Sequence, residues 1–314
     1  MDRDVFVQKG RARWDQLEKL LSRHQYNAGD WSELSSQYRQ LCADLARAQG
    51  LDMGQDVLHY LDELAGRSHN RLYGGRRGAG KEFARSLFVE FPRAVRSEWP
   101  FFLAANLAFY GPFFLGVLGP LLSADFAALV LPESQQAQME SMYSDSIGRD
   151  GFGQDTMMVG FYVMNNVGIA FRCFATGAFA GVGSVVALIY QGLILGTVEG
   201  HLWSVGLGRN LTEFTIGHTA WELTGIVIAG MAGMRMGWAL VVTHGDTRAS
   251  SLAAAGPIIY RLILGATVML FIAAGIEGLW SASPAPFVLK VAFGVFGVII
   301  VAVWLLFGGR GGQR

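Results

Sequence analysis

An all-α chain, with an N-terminal helical hairpin or bundle followed by a polytopic helical membrane domain, is what the sequence predicts, on three observations. Of 314 residues, 52% are hydrophobic and only 16% charged, with 41 glycines, which is too apolar for an ordinary soluble domain. Apolar stretches near the ~20 residues that a hydrocarbon core requires recur from about residue 100 to the end. Before them, leucines and aromatics recur at three- and four-residue steps, the helical period. A formal net charge of zero argues against nucleic acid as a partner, since phosphate binding needs a basic surface.

Residues 1–98 are expected to form a cytosolic helical domain. Trp14, Leu17 and Leu21, then Leu34, Tyr38, Leu41 and Leu45, then Leu58, Leu61 and Leu64 give each helix one apolar stripe. That stripe serves as core or, in part, as a docking face. Asp30 followed by Glu33 suggests a capping box opening the second helix. No long apolar run precedes residue 100, so no cleavable signal peptide is expected. Cys42 and Cys173 fall in different domains and predict no disulfide. Residues 74–81 match G-x-x-x-x-G-K, but Glu82 replaces the hydroxyl that would hold magnesium and no strand precedes it, so the segment reads as a basic linker. Residues 81–98 alternate Phe83, Leu87, Phe88, Phe91 and Val95 with Arg85, Arg93 and Arg96, the composition of an amphipathic helix lying on an anionic membrane surface.

The membrane domain, 99–314, is expected to hold six spans, at about 101–122, 159–181, 183–206, 217–241, 258–280 and 286–307. The second and third carry polar groups, which makes a broken helix or re-entrant pair an alternative. Arginines and Lys81 in the short connections gather on one side, which predicts a multi-pass protein of the bacterial cytoplasmic membrane with both termini in the cytoplasm. The acidic loop from about 123 to 158 then lies outside, as a partner-facing or lipid-capping segment, and its Asp145 to Asp155 stretch lacks the ligand pattern of a calcium loop. Gly192, Gly196 and Gly200 form one row of small residues, and Gly225, Ala229, Gly233 and Gly237 another. Such rows let helices approach closely, either within the chain or in a homodimer.

Charge in a bilayer is costly, so Asn165, Asn166, Arg172, Glu199, His218, Glu222 and Glu277 are the candidate site residues. In a six-span topology their carboxylates and amides fall within about one helical turn of a common depth. Arg172, placed near mid-membrane, is expected to pair with Glu199, Glu222 or Glu277. Arg235 is expected to snorkel to the inner interface. His218 and Glu222 share one helical face and could each offer a ligand in a metal site of His218 with two carboxylates, but a zinc hydrolase needs a third ligand and a base, and no His-Glu-x-x-His motif occurs. No cofactor and no catalytic residue is predicted.

Several stretches carry a resemblance: Phe6 through Lys9, Trp14 through Leu21, Tyr60 through Leu64, and His69 through Tyr73. In the membrane part they are Asn165-Asn166 with Phe174 and Gly177, Gln191-Gly192 with Gly196, Gly217-His218 through Glu222 with the glycine run to Gly237, and Ile276-Glu277-Gly278. Together they resemble the stage II sporulation protein M family over nearly the whole chain, with Gln191 and Gly217 standing where the family often has asparagine and proline. The resemblance implies an integral membrane scaffold that works with membrane-anchored cell-wall-degrading proteins during engulfment. Members in bacteria that do not sporulate are often encoded near MoxR-type ATPases. The expected function is therefore a non-enzymatic scaffold or assembly factor for envelope remodelling, partnered by lipid and envelope proteins. Two alternatives stay open: a transporter or channel with a polar cavity for lipid, cell-wall precursor or ion, and an intramembrane metal-dependent hydrolase.

Overall fold

The computed structural model describes residues 2–23, 26–73, 79–123, 125–144 and 152–310, and no strand occurs among them. The 74–81 glycine-rich motif and the Asp145 to Asp155 stretch fall largely outside the described residues. The chain divides into two compact units, Met1–Lys81 and Glu82–Arg314, each with its own core.

The first unit packs α1 (Arg3–Leu21), α2 (Ala28–Gly50) and α3 (Gln55–Tyr73) around Phe6, Trp14, Leu17, Leu34, Leu41, Leu61 and Leu64. The capping box that opens α2 is Asn27 with Asp30, three residues before the pair expected from the sequence. The Asp30 amide donates to Asn27 Oδ1 (2.8 Å) and the Asn27 amide donates to the Asp30 carboxylate (2.9 Å), so two otherwise orphaned N–H groups are satisfied reciprocally. Asp44 is buried and accepts from Trp14 Nε1 (3.2 Å) and Arg13 (2.9 Å), which ties α1 to α2.

The second unit begins within α4 (Ala79–Arg85), which is followed by one π turn (Ser86–Glu90) and α5 (Phe91–Ser97). It continues through α6 (Trp99–Leu122), the short α7 (Phe126–Val130) and α8 (Glu133–Tyr143), α9 (Phe152–Ala175), α10 (Val182–Ser204), α11 (Gly208–Thr215), α12 (Thr219–Val241), α13 (Arg248–Ile276), which runs on through a π turn (Glu277–Ser281), and α14 (Phe287–Phe307). Among the described residues, five helices are long and apolar enough to cross a membrane: α6, α10, α12, α13 with its π turn, and α14. α12 is the central one, with Ile226, Ile228, Met231 and Ala232 buried against Leu188, Leu262 and Met269.

Residues 82–98 are tied into the bundle through their C-terminal half. Phe91, Ala94 and Val95 are buried in the bundle, and the Phe91 ring sits so close to Gly265 of α13 that a Cβ there would meet it at 2.1 Å. Arg93 Nε donates to Gly309 O (2.8 Å), and Arg96 donates to Leu305 O (2.5 Å) and Gly308 O (2.6 Å), satisfying carbonyls at the C-terminal end of α14. Glu90 receives Arg261 of α13 and Glu98 receives Arg235 of α12, each at 3.0 Å. Leu87, Phe91 and Val95 of its apolar face meet helices while Phe83 and Phe88 stay exposed, and its arginines meet backbone and carboxylates. Replacing Arg96 by alanine is expected to lower stability by about 1.5 to 3 kcal/mol through loss of these charged hydrogen bonds. Thermal unfolding in detergent, with Arg96→Lys as partial rescue, checks this.

These bonds also place the start of α6 and the end of α14 at the same, basic end of the bundle. Between them α9 packs against α12 and α13 and is not among the five helices long and apolar enough to cross a membrane. It ends at Ala175, short of the 159–181 stretch expected as one span. The chain turns at Thr176–Ala178 and again where Ala180 (φ 55°) and Gly181 (φ 80°) adopt the left-handed conformation. Small residues make that turn possible because it lies directly on α12: a Cβ on Gly177 would meet Gly233 O at 2.2 Å, and one on Gly237 would meet Gly181 N at 1.9 Å.

Candidate functional site

At the end of the bundle opposite the arginines, α9, α11, α12, α13 and α14 bring polar side chains together. His218 occupies the N-cap of α12, and Glu222 stands one turn later. Glu277 opens the π turn that ends α13, and Ser281 closes it. A π turn shifts the register of the side chains that follow it and is common where a helix presents functional groups. Here it sets Glu277 and Ser281 toward α12. Gly278 lets α9 close on this turn, since a Cβ would meet Val159 Cγ2 at 2.2 Å.

The contacts are specific. His218 Nδ1 lies 3.0 Å from Ser281 Oγ, and its Nε2 lies 3.6 Å from Glu222 Oε2. Phe214 of α11 presses edge-on against the imidazole, with centroids 5.7 Å apart. Asn166 of α9 donates to Glu277 Oε2 at 3.4 Å. His218, Glu277, Asn166 and Ser281 are all buried, with Glu277 8% exposed. Lys290, near the start of α14, is 3% exposed, donates to Ser281 O (2.8 Å) and pairs with Glu213 of α11 (3.5 Å). Burial, and after it the charge of Glu277, raises the pKa of the Tyr143 hydroxyl on α8. The Tyr143 carbonyl accepts from Asn210 at 2.8 Å.

Of the seven residues singled out from sequence, the structure gathers Asn166, His218, Glu222 and Glu277. Asn165 is exposed and reaches the group only through the hydrogen bond that its Nδ2 donates to Asn166 Oδ1 (3.2 Å). Glu199 accepts from Trp203 on its own helix (3.1 Å). Arg172 is not in the cluster. It lies in the last turn of α9, exposed, near the opposite end of the bundle, because the helix ends earlier than its apolar composition suggested. Among the described residues no ion pair joins it to Glu199, Glu222 or Glu277. Arg235 pairs with Glu98, just before α6. Sequence reading missed Ser281, Glu213 and Lys290. The available signal was a lysine three residues into the most apolar helix of the chain, where an unpaired ammonium is expensive.

Both small-residue rows are filled within the chain. Cβ atoms on Gly192, Gly196 and Gly200 would meet the carbonyls of Phe109, Phe113 and Val117 on α6 at 2.1, 2.0 and 2.3 Å. Gly225 faces Leu270, Gly233 faces Ser184 and the Phe174 carbonyl, and Gly237 faces Gly181. Neither row is left open as a dimer groove.

No curated protein and no solved structure matches the chain. A family described as a domain of unknown function, DUF8413, matches residues 4–74, the three-helix unit. The family described as stage II sporulation protein M matches residues 101–282. That match runs over more than half of the chain, from α6 through the π turn carrying Glu277 and Ser281, and takes in the whole Asn166, His218, Glu222 and Glu277 group, so the chain belongs to the stage II sporulation protein M family.

Proposed function

We propose that the protein is a non-enzymatic membrane scaffold for cell-envelope remodelling, in spore formers during sporulation. It sits in the bacterial cytoplasmic membrane with both termini in the cytoplasm, and α1–α3 are presented there to partner proteins. The family supports the sporulation setting, and the arginines gathered at one end of the bundle support the orientation.

One observation carries the scaffold reading: α6 and α10 meet backbone to backbone at three successive glycines. Alternating access needs one helical group to rock against another. A seam in which carbonyl oxygens stand where side chains would be resists that motion, and it suits a rigid platform.

A deletion strain complemented with the wild-type gene tests this. Normal placement of newly made cell wall, followed with a fluorescent D-amino acid, is expected to return with the wild-type chain and to stay disturbed with Trp14→Ala. Movement of labelled lipid or ions by the purified protein in proteoliposomes, lost in Glu222→Gln, would favour the transporter instead.

A further inference from the structure

We propose that His218, Glu222 and Glu277 bind one divalent first-row transition cation at the end of the bundle opposite the arginines. One ligand atom from each residue lies within 4.8 Å of the other two. A cation bonded at about 2.1 Å holds its ligands roughly 3.0 to 4.2 Å apart, so small side-chain adjustments complete a three-ligand face and leave further positions for water.

The distance between His218 Nε2 and Glu222 Oε2, 3.6 Å, is too long for a hydrogen bond and of the right size for two ligands sharing a cation. The groups behind the ligands are arranged as metal sites arrange them. A proton on His218 Nδ1, donated to Ser281 Oγ at 3.0 Å, leaves the Nε2 lone pair aimed toward Glu222. The Asn166 amide holds Glu277 at 3.4 Å through Oε2. Lys290 fixes the π-turn backbone by bonding Ser281 O, and its charge is met by Glu213.

Two carboxylates brought this close in a poorly hydrated place repel each other unless a proton or a cation lies between them. One imidazole with two carboxylates suits Zn²⁺, Mn²⁺ or Fe²⁺, whereas Mg²⁺ and Ca²⁺ favour oxygen alone. The site would clip the start of α12 to the π turn of α13. This inference stands apart from the scaffold reading, since a platform with or without a cation still works by holding partners.

The test uses the full-length chain without a histidine tag, stripped with a chelator in detergent and then titrated with Zn²⁺ or Mn²⁺. Elemental analysis after gel filtration is expected to find about one Zn²⁺ or Mn²⁺ per wild-type chain and background in Glu222→Gln. Glu222→Gln keeps the side-chain volume at the more open corner of the site, and an unchanged gel-filtration profile certifies its fold. Ser281→Ala, which touches no metal, is expected to weaken binding roughly 10- to 100-fold. The thermal midpoint should rise with Zn²⁺ for wild type and not for Glu222→Gln. Background metal in the wild type, or equal binding by wild type and Glu222→Gln, overturns the proposal.

Discussion

Gly196→Leu is expected to prevent α6 and α10 from closing and to leave little or no monodisperse protein after extraction in mild detergent. The new side chain would start 2.0 Å from the Phe113 carbonyl oxygen, and a Cβ on Gly192 or Gly200 would likewise meet the Phe109 or Val117 carbonyl oxygen at 2.1 or 2.3 Å along the same seam. A flexible neighbour could swing away, but a backbone carbonyl moves only with its helix. The helices must therefore separate along the whole seam, and the packing that associates them in lipid is lost with it. Overpacking in an ordinary core costs about 1 to 3 kcal/mol and sometimes more; here at least the upper figure is expected. Gly256→Leu is the control, because nothing lies within 4 Å of its Cβ position on α13. That variant should extract and unfold like wild type. Equal losses in both would mean that the seam is not the source of the effect.

Trp14→Ala is expected to destabilise the N-terminal unit by about 3 to 5 kcal/mol while the membrane unit stays folded. Trp14 is 4% exposed and packs against Phe6 and Tyr60 with ring centroids 5.8 and 5.9 Å away. Its indole N–H also satisfies buried Asp44, so truncation opens a cavity and removes a buried hydrogen bond together. A three-helix unit of this size buries a modest core, and a loss of this magnitude is a large share of its stability. Limited trypsin digestion of the purified full-length chain checks it: residues 1–81 should be cut rapidly in the variant and the remainder should survive as one fragment. Survival of the N-terminal unit at wild-type rates would show that Trp14 does not hold its core.

Much of this architecture is legible in the residues. Leucine spacing marks α1 to α3, apolar length marks α6, α10, α12, α13 and α14, and the cost of burying charge picks out Glu222 and Glu277. The turn at 176–181 is not legible, because Gly177, Ala178, Ala180 and Gly181 are as apolar as a helix interior; what makes them a turn is their fit against Gly233 and Gly237, a long-range contact. Arg172 is misplaced for the same reason, since its depth follows from where α9 stops. A π turn inserts no distinctive residue, so the direction in which Glu277 and Ser281 point is invisible beforehand. Lys290 reads as a loop charge until Ser281 and Glu213 are seen to enclose it. An amphipathic stretch such as 82–98 suits a membrane surface and a helical groove equally well; that Phe91 packs on Gly265 and Arg96 on the end of α14 follows from long-range contacts that the stretch itself does not encode.

The central claim is that polar groups from α9, α12 and α13 close on one another inside the bundle, with Glu277 buried among them. Thiol labelling measures this directly, in a chain whose Cys42 and Cys173 are replaced and which carries either Asp125→Cys or Glu277→Cys. With a membrane-impermeant maleimide applied to right-side-out and inside-out vesicles, position 125, exposed beyond the end of α6, should react from one face. Position 277 should react from neither until the protein is denatured. Labelling of both positions at similar rates in the folded protein would contradict the account, because it would place a water-filled path where the structure puts packed side chains.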